Sequence, residues 1–175
     1  TSLHKLQPTS QSAYFLYRLN ASRGNVDEAL SYISEALAYT DLETETAADY
    51  NYEAAAFCVK NGRNPQAITF AEKAKELSSS YAGKVYFLIG TIWGATSCGG
   101  DEISRRAPYW VAVDYMERAK AADASLAEDC NRMISQYRVY YPQTAEAFMY
   151  NLTDGQSYTV SCGGMRATTT VRTQK

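Results

Sequence analysis

Two hydrophobic periods run along this chain, one after the other. From about residue 9 to residue 140, apolar residues recur three and four positions apart, the spacing of one face of an α-helix. The set Gly24, Ala29, Ile33, Ala36 returns 38 residues later as Gly62, Ala67, Ala71, Ala74, with the same offsets of 5, 9 and 12 from the glycine. Ala112, Met116 and Ala119 repeat the internal spacings of 4 and 3, beginning 45 residues after Ala67. Small residues at these offsets let two antiparallel helices approach closely, with the glycine in the turn between them. Such self-similarity marks a repeat array, in which each helical hairpin covers the apolar face of the next.

The pattern predicts helices over 9–22, 25–40, 46–61, 64–78, 81–97, 108–122 and 125–140. Capping chemistry sets several starts. Asn25 with Glu28 and Ser125 with Glu128 have the capping-box form. Asn64 precedes Pro65 at a first helical position, and Pro108 is expected to open a helix. The helix over 125–140 reads as a cap, with Leu126, Cys130, Met133, Ile134 and Tyr137 inward. Pro142 stops it, and a short helix is expected over 144–151.

The period then changes to two. Tyr158, Val160 and Cys162 alternate with polar residues up to Gly163-Gly164, and Met165, Ala167 and Thr169 alternate after it. A two-residue turn pairs Cys162 with Met165, Val160 with Ala167 and Tyr158 with Thr169, which puts the apolar members on one face. The expected organisation is a helical array over 1–141, with a short helix and β-hairpin over 142–175 packed on it.

Composition narrows the function. No run of about 18 apolar residues is present, so no membrane-spanning helix is expected. A net charge of -2 argues against nucleic acid as a partner. His4 is the single histidine, which leaves little material for histidine triads or multi-histidine metal sites, and no CxxC pair occurs among the four cysteines. Asp101, Glu102, Arg105 and Arg106, beside Cys98, form the one polar constellation near a nucleophile, and it has neither a histidine base nor a phosphate-cradling loop. We therefore expect no catalysis, no cofactor and no bound metal.

The helical units resemble the tetratricopeptide repeat over roughly residues 10 to 123. The matching residues are Leu16, Tyr17, Asn20, Gly24, Ala29 and Ala36, then Ala54, Ala55, Cys58, Gly62, Ala67 and Ala74, then Ile89, Gly90, Trp93, Ala112 and Ala119. The terminal proline of that motif is missing from all three units, and an insertion within residues 97 to 107 delays the third. The resemblance implies an all-α, right-handed superhelix of three hairpins, closed here by the capping helix and the small C-terminal β-hairpin. It also implies a non-catalytic scaffold that binds a protein or peptide in a concave groove. The family's groove positions fall on Gln11, Tyr14 and Arg18, on Asp49, Tyr52 and Ala56, and on Lys84, Phe87 and Thr91. Tyr14, Tyr52 and Phe87 are aromatic at one repeat position, either as a ladder for a partner's side chains or as packing between helices. The family's carboxylate clamp for chaperone tails is not expected, because Lys84 is followed four residues later by Leu88.

The tail from Ala147 to Arg172 is similar to that of uncharacterised tetratricopeptide proteins of Bacteroidetes bacteria. That resemblance implies export to the periplasm or cell envelope, with this chain a C-terminal portion of something longer. Cys98 and Cys162 each begin a Cys-Gly-Gly; in an exported protein they form a bridge, and otherwise they are two free thiols. Cys58 and Cys130 fall at apolar helical positions as buried thiols. Between Gly24 and Val59 there are eight acids and no Lys or Arg, either a solvated face or a patch that steers a basic partner. The competing functional reading is an assembly module, a homo-oligomer held through the hairpin edge or this acidic face.

Overall fold

The structure, a computed structural model, describes residues 2–175. The described chain is mostly helical, with one small antiparallel hairpin at its end, and it divides into two compact units between Tyr81 and Ala82.

The first unit contains α1 (Ser2–Leu6), α2 (Ser10–Ser22), α3 (Val26–Leu37), α4 (Thr44–Lys60) and α5 (Asn64–Leu77), followed by a 3-10 turn over Ser79–Tyr81. Helices α2 and α3 pair as one hairpin, and α4 and α5 as the next. Gly24 and Gly62 sit at the same place in the two connecting turns, with φ of 76° and 72°, a conformation in which a side chain is strained. The repeated small residues are the inner face: Ala29, Ile33 and Ala36, then Ala67, Ala71 and Ala74, are fully buried. Ala54, Ala55 and Cys58 of α4 face them with no exposed surface.

Local details depart from the capping expectations. Asn25 stands at the N-cap of α3, but its side chain makes no capping bond and instead donates to Asn20 Oδ1 at 3.2 Å. Arg63, not Asn64, caps α5, so Pro65 lies one residue further inside. Helix α1 is absent from the sequence reading, because five residues without an apolar stripe carry no periodic signal.

The second unit contains α6 (Ala82–Gly94), α7 (Glu102–Ala122), a 3-10 turn over Ala124–Leu126, α8 (Ala127–Arg138), α9 (Thr144–Met149), β1 (Ser157–Cys162) and β2 (Met165–Thr170). Helix α7 begins six residues before Pro108, which therefore lies inside it. Asp101 caps that start by accepting from the Ser104 amide at 2.8 Å. Glu102 holds Arg105 at 2.7 Å and Arg106 at 3.2 Å, so the first turns form ahead of the proline and tolerate its missing donor. At the other end, Asp123 rather than Ser125 does the capping, accepting from the Ser125 amide at 3.0 Å. Helix α8 packs on α7 and buries Cys130, Ile134 and Tyr137, as its period predicts.

The hairpin has the expected register, with Cys162 opposite Met165, Val160 opposite Ala167 and Tyr158 opposite Thr169. Gly163 and Gly164 both have positive φ, 61° and 77°, which a two-residue turn of matching twist requires. The strands lie against α7, where Trp110 is fully buried and meets the Tyr158 ring edge-on at 5.5 Å.

Candidate functional site

In the first unit, α2 and α4 carry the predicted binding positions, and tyrosines join the two helices. The Tyr14 ring stacks on Tyr50 at 4.2 Å with 4° between the planes, and its hydroxyl donates to Glu53 Oε2 at 2.5 Å. Tyr17 meets Phe57 edge-on at 5.7 Å. Tyr52 lies 5.2 Å from the Tyr81 ring, whose hydroxyl donates to Asp49. Tyr14 and Tyr52 are half-buried. Gln11 and Arg18 on α2, and Asp49 and Ala56 on α4, are exposed beside them.

The acidic stretch has an internal use. Glu45, Asp49 and Glu53 are four residues apart, so they form one stripe of α4, and a hydroxyl donates to each: Ser78 at 3.2 Å, Tyr81 and Tyr14. With no Lys or Arg in the stretch, neutral hydroxyls answer these carboxylates. Burial, then the bond to Glu53 and its charge, push the Tyr14 phenol up to about 12. Tyr81 rises to about 12 through burial and its bond to Asp49. Two further acids pair outside the stripe: Asp27 with Arg63 at 2.9 Å, and Glu35 with His4 Nε2 at 2.5 Å.

His4 lies between Glu35 and Ser12, with Nδ1 2.5 Å from Ser12 Oγ. His4 is the single histidine of the chain, and no local pattern links it to Ser12 or Glu35. Ser12 Oγ also accepts from the Thr9 amide and donates to the Thr9 carbonyl, both at 3.0 Å, which closes the cap of α2. The imidazole thus fastens α1 to α2 and α3.

In the second unit, Lys84, Phe87 and Thr91 lie along α6. Lys84 is exposed, Phe87 is half-buried, and the Thr91 hydroxyl donates to the Leu88 carbonyl of its own helix. Asp101, Glu102, Arg105 and Arg106 are occupied structurally: beyond the cap and the pairs above, Arg106 reaches the Tyr141 carbonyl at 3.4 Å and Glu146 at 3.7 Å, which holds α9.

Cys98 and Cys162 are bonded, with Cα atoms 5.8 Å apart, a spacing typical of disulfides. Cys58 and Cys130 are free and fully buried. Burial pushes the Cys58 thiol up to about 11 and also raises that of Cys130.

One polar cluster was not legible beforehand. Asp114 accepts from Arg172 and from the Thr169 hydroxyl; Arg172 donates to the Trp110 carbonyl at 2.8 Å, and Trp110 Nε1 donates to the Arg172 carbonyl at 2.9 Å. Its two halves, Trp110 with Asp114 and Thr169 with Arg172, lie more than fifty residues apart in the chain, and no local pattern connects them. No protein-family model matches the chain, and no curated protein matches it either.

Proposed function

We propose that this chain is a non-catalytic binding module of the tetratricopeptide type, taking an extended or helical segment of a protein partner on the α2 and α4 face. The observation that supports this is one repeated row. Positions 11, 14 and 18 of α2 and 49, 52 and 56 of α4 present exposed polar or small residues around a half-buried tyrosine. Each tyrosine packs against a neighbouring ring, and Tyr14 is also held by a carboxylate. A ring already immobilised loses little entropy when a partner covers its exposed part, which makes such rings good anchors. Lys84, Phe87 and Thr91 form the corresponding row of α6, within the second unit. Export to the cell envelope belongs to this proposal, and the Cys98–Cys162 bridge supports an oxidising compartment.

Ala56→Arg is the informative variant, because Ala56 is exposed and a long side chain there obstructs the face without removing a native contact. In affinity capture from extracts of the source organism, the wild-type chain is expected to retain a partner that A56R loses at unchanged helicity. Equal capture by both would overturn this site.

A second reading, homotypic assembly, is favoured by the apolar side chains that the second unit leaves in solvent. Val139, Phe148 and Met149 are 71%, 71% and 81% exposed, and a two-stranded sheet has two outer edges. Sedimentation across a concentration series decides it. An oligomer that survives A56R but is lost in Phe148→Ser/Met149→Ser would favour assembly over the groove.

A further inference from the structure

The second unit contains a cleft of about 650 Å³ walled by α7, the end of α8 and the C-terminal segment after β2. Its size is that of a small-molecule site, typically about 300–1,000 Å³. Val113 and Val171 supply apolar wall, and Arg138, Arg172 and Lys175 bring three cations to it against the acids Glu117 and Asp154.

The acids already have partners. Glu117 holds Lys120 at 3.1 Å, and Asp154 accepts from the Thr173 amide at 2.9 Å and its hydroxyl at 3.3 Å, with Lys175 loosely placed at 3.9 Å. The arginines differ. Arg172 is held in place by Asp114 and the Trp110 carbonyl. Arg138 is exposed and, like Arg18, Arg23, Arg118 and Arg166, has no carboxylate within ion-pair distance among the described residues. Its backbone is nevertheless fixed: Gln174 Nε2 donates to the carbonyls of Arg138, Val139 and Tyr141 at 2.9, 3.1 and 3.1 Å, and the Gln174 amide donates to Pro142 at 2.9 Å. Tyr141, also in the cleft wall, is 7% exposed, and the Arg138 side chain lies within reach of its buried hydroxyl. Burial raises the pKa of that phenol, and the charges of Arg172 and Arg138 oppose the rise.

We propose that this cleft binds a small organic anion, its carboxylate or phosphate group held between Arg138 and Arg172 and its carbon skeleton against Val113 and Val171. A guanidinium offers paired donors that match either oxyanion. Asp114 and the Trp110 carbonyl preorganise the Arg172 guanidinium, and Gln174 fixes the backbone that carries Arg138. The site lies wholly within the second unit and does not depend on the proposed α2 and α4 face.

The test is an amide NMR titration of the full chain with citrate and, separately, glycerol phosphate, against sodium chloride at matched ionic strength. Saturable shifts at Tyr141 and at Val171 to Gln174 are expected with at least one anion, and which one responds identifies the headgroup. Arg138→Gln is expected to weaken that binding about tenfold or more, the loss of a charge-assisted hydrogen bond. Arg132→Gln, on the same helix but paired with Asp129 outside the cleft, is expected to leave it unchanged. Should R138Q lose its fold, Lys175→Gln at the exposed end is expected to weaken binding by about threefold through charge alone. The proposal is overturned if neither anion gives saturable shifts, if shifts scatter over the basic surface, or if the cleft variants bind like wild type.

Discussion

Tyr14 shows how one residue answers two demands. Its ring is packed against Tyr50, and its neutral hydroxyl donates to Glu53 in the acidic stripe of α4. The fold therefore favours the protonated phenol. With the folded value near 12 against the ordinary 10.0, this contribution to stability is complete below the ordinary value and disappears as the pH rises through about 12. Tyr81 obeys the same sign through Asp49. Tyrosinate absorbance during an alkaline titration should rise late for these two residues and coincide with loss of helicity. Tyr14→Phe keeps the stack, removes the bond, and should cost about 1 kcal/mol in urea denaturation, since the acceptor is charged but only half-buried.

The elements depend on how their ends are held. A hairpin of two strands is marginal in water by itself. Here its open end is anchored by Trp110, Asp114 and Arg172, and its turn end by the Cys98–Cys162 bridge. The bridge joins residues 64 apart, and closing a loop of that length is worth about 4 kcal/mol before strain. The double variant C98S/C162S should approach that loss in denaturant titration while keeping its strands, because the Trp110 and Asp114 contacts remain. Alkylation counted by mass spectrometry gives the matching result. The folded, oxidised chain should react slowly or not at all, the unfolded oxidised chain at Cys58 and Cys130, and the reduced unfolded chain at all four cysteines. Four fast thiols in unreduced, unfolded protein from an oxidising compartment would remove the bridge from the account.

At the scale of the whole molecule, the two units can be followed separately. Trp93 and Trp110 are the only tryptophans, and both are buried in the second unit, whereas helices occur in both units. Reduction acts on a bond inside the second unit alone. It should therefore lower the transition seen by tryptophan fluorescence more than the one seen by far-ultraviolet dichroism. Coincident transitions after reduction would show that the chain unfolds as a single cooperative block.

What the sequence determined was whatever a local period or a short turn specifies. Alanines at fixed offsets from Gly24 and Gly62 defined the buried faces, and Gly163-Gly164 between alternating strands defined the hairpin register, because one-residue slips would turn apolar side chains outward. Helix starts were less legible. Asp101 rather than Pro108 sets the start of α7 because a cap and the Glu102 pairs stabilise the turns ahead of the proline. The candidate α2 and α4 face was half legible: the sequence indicated Tyr14 and Tyr52, but not Tyr50, Glu53 and Tyr81, which fix them. Only the tertiary structure placed His4 beside Glu35 and Arg172 beside Asp114. Those contacts join residues distant in the chain, and their geometry exists only once helix packing has brought them to hydrogen-bonding range.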